Sequence, residues 1–258
     1  MAPRARVIRG TDRLRTDTDW LRSRHCFSFG DEYDPDNTHH GVLLVSNDET
    51  VAAGRGFDTH PHRNTEIVTW VLRGSLVHQD SAGHSGVVYP GLVQRMSAGT
   101  GILHSERNDL ASSEPGGEVR FIQMWLQPDE WDTEPGYAQA EVDGQLAAGG
   151  LVTVASGIPG QDAAIRIGNR GAALHVARLR PGATVRLPDA PFGHVFVTAG
   201  TVGVEGVPGS PLGDGDALRL IAGSDGGGAP GAGGGRTVTA GPDGAEILAW
   251  EMHTRLGA

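Results

Sequence analysis

The chain has 258 residues, a formal net charge of −10, and 21 cationic side chains that are all arginine. That length suits two small domains or one large one; the acidic balance argues against direct nucleic-acid binding, which needs a basic surface; and the lack of lysine excludes a Schiff-base or P-loop lysine. A single cysteine, Cys26, permits no internal disulfide and fits a cytoplasmic location, the basic start MAPRARVIRG lacks the apolar core of a secretory signal, and no apolar run is long enough to span a membrane.

Taken in chain order, 40 glycines and 15 prolines among short apolar runs point to many short strands joined by turns. The first informative stretch is His60-Pro61-His62. Proline has no N–H and pushes the residue before it toward extended angles, so this stretch reads as an exposed or edge strand. Residues i and i+2 of a strand share a face, so His60 and His62 form a fork that aims two imidazoles at one point. Residues 65–72 and 75–80 alternate as strands around a tight Arg73-Gly74 turn. A turn at Ser81-Ala82-Gly83, a strand at 87–89, punctuation at Pro90-Gly91 and a strand at 92–96 follow. Next comes a second fork, His104-Ser105-Glu106.

Residues 118–127 place Val119, Phe121, Gln123 and Trp125 on one face and Arg120, Ile122, Met124 and Leu126 on the other. Both faces are substantially apolar, as expected for a strand between two layers. Residues 128–137, acidic and proline-rich, read as a bridge. Beyond it, 174–179, 194–198, 202–205, 217–221 and 247–252 read as strands, with turns at Pro181-Gly182, Ala199-Gly200 and Asp214-Gly215-Asp216. Residues 224–236 are glycine-rich and read as a mobile loop.

Two forks brought together in a barrel give His60, His62, His104 and Glu106: three imidazoles and one carboxylate. That set suits one divalent first-row transition metal, whether iron, copper, nickel, manganese, cobalt or zinc. A closed, structural zinc site is the competing reading. The other histidines, His25, His39, His40, His78, His84, His175, His194 and His253, have no fork partner and read as surface or packing residues. Cys26 reads as a small buried apolar residue. Phe27, Phe29, Phe57, Met124 and Trp125 read as core, or as the lining of a pocket over the metal. Arg63 reads as an anion contact or a solvated arginine.

The spacing Gly54, His60-x-His62, Glu66, Gly74, followed by Gly101-x-x-His104 and Asn108, resembles the two motifs of the cupin superfamily. It departs from them in having Gly99 where the second motif has proline, and one extra residue before Gly74. The run FDTHPHRNTEIVTWVLRGSLVHQDSAGHSGVVYPGLVQRMSAGTGILHSERN, with WLRSRHCFSFGDEYDP before it and FIQMWLQP after it, resembles the pirin family, and within it the bacterial pirin-like quercetin 2,3-dioxygenases. The resemblance is specific over residues 1–130 and architectural beyond.

It implies an all-β fold of two cupin barrels, double-stranded β-helices of the jelly-roll type: a metal-binding barrel over residues 1–130 and a metal-free one over 131–258. It implies iron as the expected ion, and Glu106 rather than Glu66 as the carboxylate ligand. Glu66 then orients a histidine or structures the strand end, with a ligand role left open. The implied activity is metal-dependent opening of flavonols such as quercetin by O2 with release of carbon monoxide. Glu106 is then the acceptor of the substrate 3-hydroxyl proton. The alternative is a metal-containing, redox-responsive regulator of the pirin type that acts on a protein partner. A wide apolar cavity reaching the metal would favour the enzyme.

Overall fold

The computed structural model describes residues 4–109, 117–222 and 235–257. The first half of the chain forms β1 (Arg4–Ile8), β2 (Leu14–Asp17), β3 (Leu21–His25), β4 (Leu43–Val51), β5 (Gly56–His62), β6 (Glu66–Arg73), β7 (Leu76–Asp80), β8 (Ser85–Val88), β9 (Leu92–Ser97), β10 (Ile102–Asn108) and β11 (Val119–Leu126). The second forms β12 (Gly136–Glu141), one short helix α1 (Asp143–Ala147), then β13 (Val152–Ser156), β14 (Ile165–Arg166), β15 (Ala172–Leu179), β16 (Thr184–Arg186), β17 (Phe192–Val204), β18 (Leu212–Gly213), β19 (Ala217–Ile221) and β20 (Thr237–Met252). The expected loop at 224–236 lies, except for Gly235 and Arg236, outside the described residues.

A seven-stranded sheet, β12-β9-β6-β11-β4-β3-β2, and a four-stranded sheet, β5-β10-β7-β8, make the first barrel. A nine-stranded sheet built around β1-β19-β17-β20-β15-β13-β14 makes the second. Strand alternation explains the layering. Val119 and Phe121 of β11 and Val71 of β6 face into the first barrel against Leu76 and Val88 of the small sheet. Ile122 and Met124, with Val68 and Trp70, face outward onto Leu174, Val176, Leu248 and Trp250 of the second barrel. The strand expected between two layers therefore separates a barrel interior from the seam between barrels. The interior of the second barrel is a separate apolar cluster that includes Val195, Val197, Val202 and Ile247.

Hydrogen bonding does not follow the expected division at 130/131. Strand β1 pairs antiparallel with β19, from Arg4 opposite Ile221 to Ile8 opposite Ala217. Asp216 fixes it there by accepting the Gly10 N–H at 2.8 Å and pairing with Arg9 at 2.6 Å. In return β12 pairs with β9 of the first barrel, Tyr137 lying opposite Met96. The bridge thus ends before Gly136.

Ala199-Gly200 is not a turn. Residues 192–204 form one strand, and the register slips against β20 between Val197 and Ala199 and between Gly200 and Val202. Gly200 takes a φ of +73°, so its glycine marks a bulge rather than a reversal. Gly99 also has a positive φ, +47°, and a Cβ there would run into the Thr133 carbonyl. Proline, locked near −65°, cannot adopt that backbone, which accounts for the departure from the cupin motif.

Candidate metal centre

The two forks lie on neighbouring strands. Strand β5 is the edge of the small sheet, as Pro61 requires, and β10 sits between β5 and β7. His104 lies opposite His60 on one side and Asp80 on the other; Glu106 lies opposite Phe57 and His78. The shift from His60 to Phe57 is a bulge of one residue in β5. It carries Asp58 out of register, so that Phe57 is the β5 residue opposite Glu106.

The rings of His60, His62 and His104 are gathered with centroid separations of 4.4 Å (His60–His104), 4.9 Å (His60–His62) and 4.9 Å (His62–His104). One ligand nitrogen from each lies within 4.8 Å of the others. Glu106 belongs to a second group inside that limit, with His104 and His78; the four expected residues do not all fall within it together. The two groups share His104.

Two observations fit this cluster to a metal. The Nε2 atoms of His62 and His104 are buried and have no hydrogen-bond partner. Such orphans cost about 1–3 kcal/mol each unless something accepts the lone pair, and a cation does. The rings of His62 and His104 are also neutral, as metal binding requires. Burial, followed by the neighbouring His60, holds His62 down to about 4 and His104 to about 2. The His60 Nδ1–H donates to the Asp58 carbonyl at 2.7 Å, which leaves Nε2 as the ring nitrogen available to a metal.

Glu106 is 2% exposed, and burial raises its carboxyl to about 7, against the lowering effect of a 2.7 Å hydrogen bond from Gln123 Nε2–H. The Trp125 indole N–H donates to Gln123 Oε1 at 3.0 Å and so orients that amide. Below them Glu49 is pushed up to about 8, by burial first and then by the charge of Glu106.

Three of the five candidate lining residues gather here. Trp125 stands edge-on to His62 at 4.8 Å, Phe29 meets Trp125 at 5.5 Å, and Phe57 lies 6.4 Å from His60. Phe27 and Met124 belong instead to the core at the seam. Cys26 is buried, as expected. Arg63 pairs with Asp132 at 2.8 Å on the surface. Glu66 is in neither ligand group; it accepts the Gly168 N–H at 2.9 Å and ties the end of β6 to the second half. Sequence reasoning set His78 aside as a packing residue and overlooked Glu49. His78-x-Asp80 is itself an i, i+2 fork on an inward face and was legible as one; Glu49 carries no such signal.

A cleft of about 440 Å³ meets the cluster at His62 and is lined by Pro61, His62, Arg63, Ser81 and the stretch Gly101, Ile102 and Leu103. A polar cleft of about 420 Å³ at the seam, around Glu66 and Arg95, has none of these histidines in its wall.

Two cupin barrels in one chain, with a three-histidine cluster inside the first, define a bicupin. The family model described as Pirin matches residues 7–126. A Mycobacterium tuberculosis protein named "Putative quercetin 2,3-dioxygenase" is 57% identical over 257 residues, covering 100% of this chain and 98% of its own. The Escherichia coli "Quercetin 2,3-dioxygenase" is 44% identical over 124 residues, 48% of this chain and 52% of its own. Among solved structures, the bacterial pirin YhhW from Escherichia coli in complex with nickel(II) superposes with a TM-score of 0.82 at 28% identity, covering 98% of this chain and 100% of that one. The chain belongs to the pirin family.

Proposed function

We propose that this protein is a metal-dependent dioxygenase that opens flavonols such as quercetin with release of carbon monoxide. One divalent transition metal would be held in the N-terminal half, residues 1–130, by His60, His62, His104 and Glu106, with the C-terminal half, 131–258, carrying none. The observation that carries the reading is the pair of orphaned Nε2 atoms on His62 and His104, beside a cleft that has His62 in its wall. The names of the mycobacterial and Escherichia coli relatives support the same reaction class. The nickel(II) complex of YhhW supports a first-row ion, of which iron is the one expected here.

When bound, such an ion supplies Lewis acidity toward a substrate hydroxyl and redox contact with dioxygen. The remaining work falls to the chain. The cleft volume lies within the usual range for small-molecule sites, roughly 300–1,000 Å³, and Ile102 and Leu103 give it apolar wall for a flat ring system. Glu106, with a carboxyl near 7 and its Oε2 held by Gln123, is poised to take the 3-hydroxyl proton near neutral pH. Trp125 stands edge-on to His62, and Phe29 backs Trp125. A cleft with His62, Ile102 and Leu103 in its wall favours turnover over the regulator reading.

The test is elemental analysis of the purified protein, with oxygen uptake and carbon monoxide release on quercetin after loading each first-row ion. Stoichiometric uptake with one ion per chain supports the reading. No uptake with any ion overturns it in favour of the regulator.

A further inference from the structure

Behind His104, on the side away from His60, a second row of groups has no part in the reaction above. His78 on β7 is 1% exposed, and its Nδ1 lies 3.4 Å from Nδ1 of His104. Its Nε2 lies 3.2 Å from Oδ2 of Asp80, whose side chain is 0% exposed. Asp80 in turn is fixed through Oδ1, which accepts the N–H groups of Ala82 and His84, both at 3.0 Å. His84 Nδ1 approaches its Oδ2 at 3.0 Å. Tyr137 closes the row from outside, its ring 5.0 Å from His78 and 5.4 Å from His84. Gly86 admits Tyr137, since a Cβ there would collide with the hydroxyl.

The direction of these hydrogen bonds follows from donor and acceptor chemistry. Burial works against the Asp80 charge, but bonds from the His84 backbone, His78 and His84 hold its carboxyl below the usual range. An ionised carboxylate can only accept, so His78 Nε2 carries the proton. With its Nε2–H directed at Asp80 Oδ2 at 3.2 Å, a neutral His78 turns its other ring nitrogen, Nδ1, toward His104 at 3.4 Å as an acceptor. The His104 Nδ1 that it faces must then donate. His104 therefore presents a bare Nε2, the same atom that is buried without a partner.

We propose that Asp80 and His78 are positioning residues: a carboxylate–imidazole relay that fixes the tautomer and ring orientation of His104 so that its Nε2 serves as a metal ligand. This rests on the metal reading above. Outer partners of this kind set ligand basicity, and their loss typically weakens metal binding about 10–100-fold. Here the partner is a second imidazole with a carboxylate behind it. His60 obtains the same result from a backbone carbonyl, that of Asp58.

The experiment has a metal-free arm and a metal arm. In the metal-free protein, side-chain nitrogen NMR should find His104 protonated at Nδ1 and His78 at Nε2. Asp80→Asn keeps an oxygen for the Ala82 and His84 amides but turns an NH2 toward His78. That forces the His78 proton onto Nδ1, opposes two donors, and should shift His104 toward the Nε2–H form. In the metal arm, Co(II) affinity should fall about 10–100-fold in Asp80→Asn, with circular dichroism unchanged. His84→Ala, which removes only the outer imidazole, should leave both the His104 tautomer and the affinity as in the parent.

His104 protonated at Nε2 in the parent overturns the relay, whatever the metal result. So does an unaltered Co(II) affinity in Asp80→Asn. Two Co(II) ions per chain, one of them lost in His78→Phe, would make His78 a ligand and also overturn it. A parent with the expected tautomers that takes up no Co(II) overturns the metal reading instead, and with it the relay's role in holding a ligand.

Discussion

Glu106→Gln separates the two tasks of the carboxylate. The substitution preserves shape, and a glutamine oxygen can still accept the Gln123 Nε2–H that now reaches Oε2 at 2.7 Å. It removes a carboxyl that burial raises to about 7, so folding should not suffer at neutral pH, where the ionised form is the one burial disfavours. The three imidazoles remain, and most metal should stay bound. What disappears is the proton acceptor. General-base contributions run on the order of 10²–10⁴-fold, so turnover per bound metal should fall by that much, about 2.7–5.5 kcal/mol of barrier. Higher pH should restore part of it, because more flavonol then arrives ionised. The assay is oxygen uptake on quercetin normalised to metal content by elemental analysis. Glu66→Gln is the control: Glu66 bonds Gly168 N–H at 2.9 Å, a role a glutamine oxygen can keep, so its rate should match the parent. If metal-loaded Glu106→Gln turns over as fast as the parent, the base assignment is wrong.

Three further outcomes are expected. The His60→Ala/His104→Ala double variant loses two of the three clustered imidazoles and should purify without stoichiometric metal; full occupancy by elemental analysis would place the ion elsewhere. Glu251 is held down to about 2: burial works to raise it, but hydrogen bonds from His175 and His253 outweigh that. Its contribution is thus present above the unfolded value near 4.5 and is lost as pH falls from there toward 2. Glu251→Gln should therefore cost on the order of 2–3 kcal/mol at pH 7 and flatten the acid limb of a Tm-versus-pH curve; an unchanged limb rejects the assignment. Gly99→Pro imposes a φ near −65° where the backbone has +47° and should cost about 3 kcal/mol or more, roughly 6–12 °C in Tm; calorimetry showing no drop would refute the backbone argument.

Much of this architecture was written locally. Proline between two histidines dictated an extended edge strand, and β5 is the edge of its sheet. The alternation along 118–127 dictated a strand with two apolar faces, and β11 has one face in a barrel and one on the seam. These readings succeeded because strand period and backbone restriction act over a few residues. Ala199-Gly200 misled for the same reason: a glycine at positive φ serves a bulge as well as a turn, and only pairing with the distant β20 decides between them.

The sequence by itself determined the residue types of the centre, the parity that brings each fork onto one face, and the count of imidazoles available. The tertiary structure decided the rest, because register across strands is a long-range property. It set His104 against both His60 and Asp80, and so gave one imidazole two sides. A single bulge in β5 set Phe57 rather than Asp58 opposite Glu106. The exchange of β1 and β12 between the barrels likewise carried Tyr137 over His78, a contact no local pattern could encode.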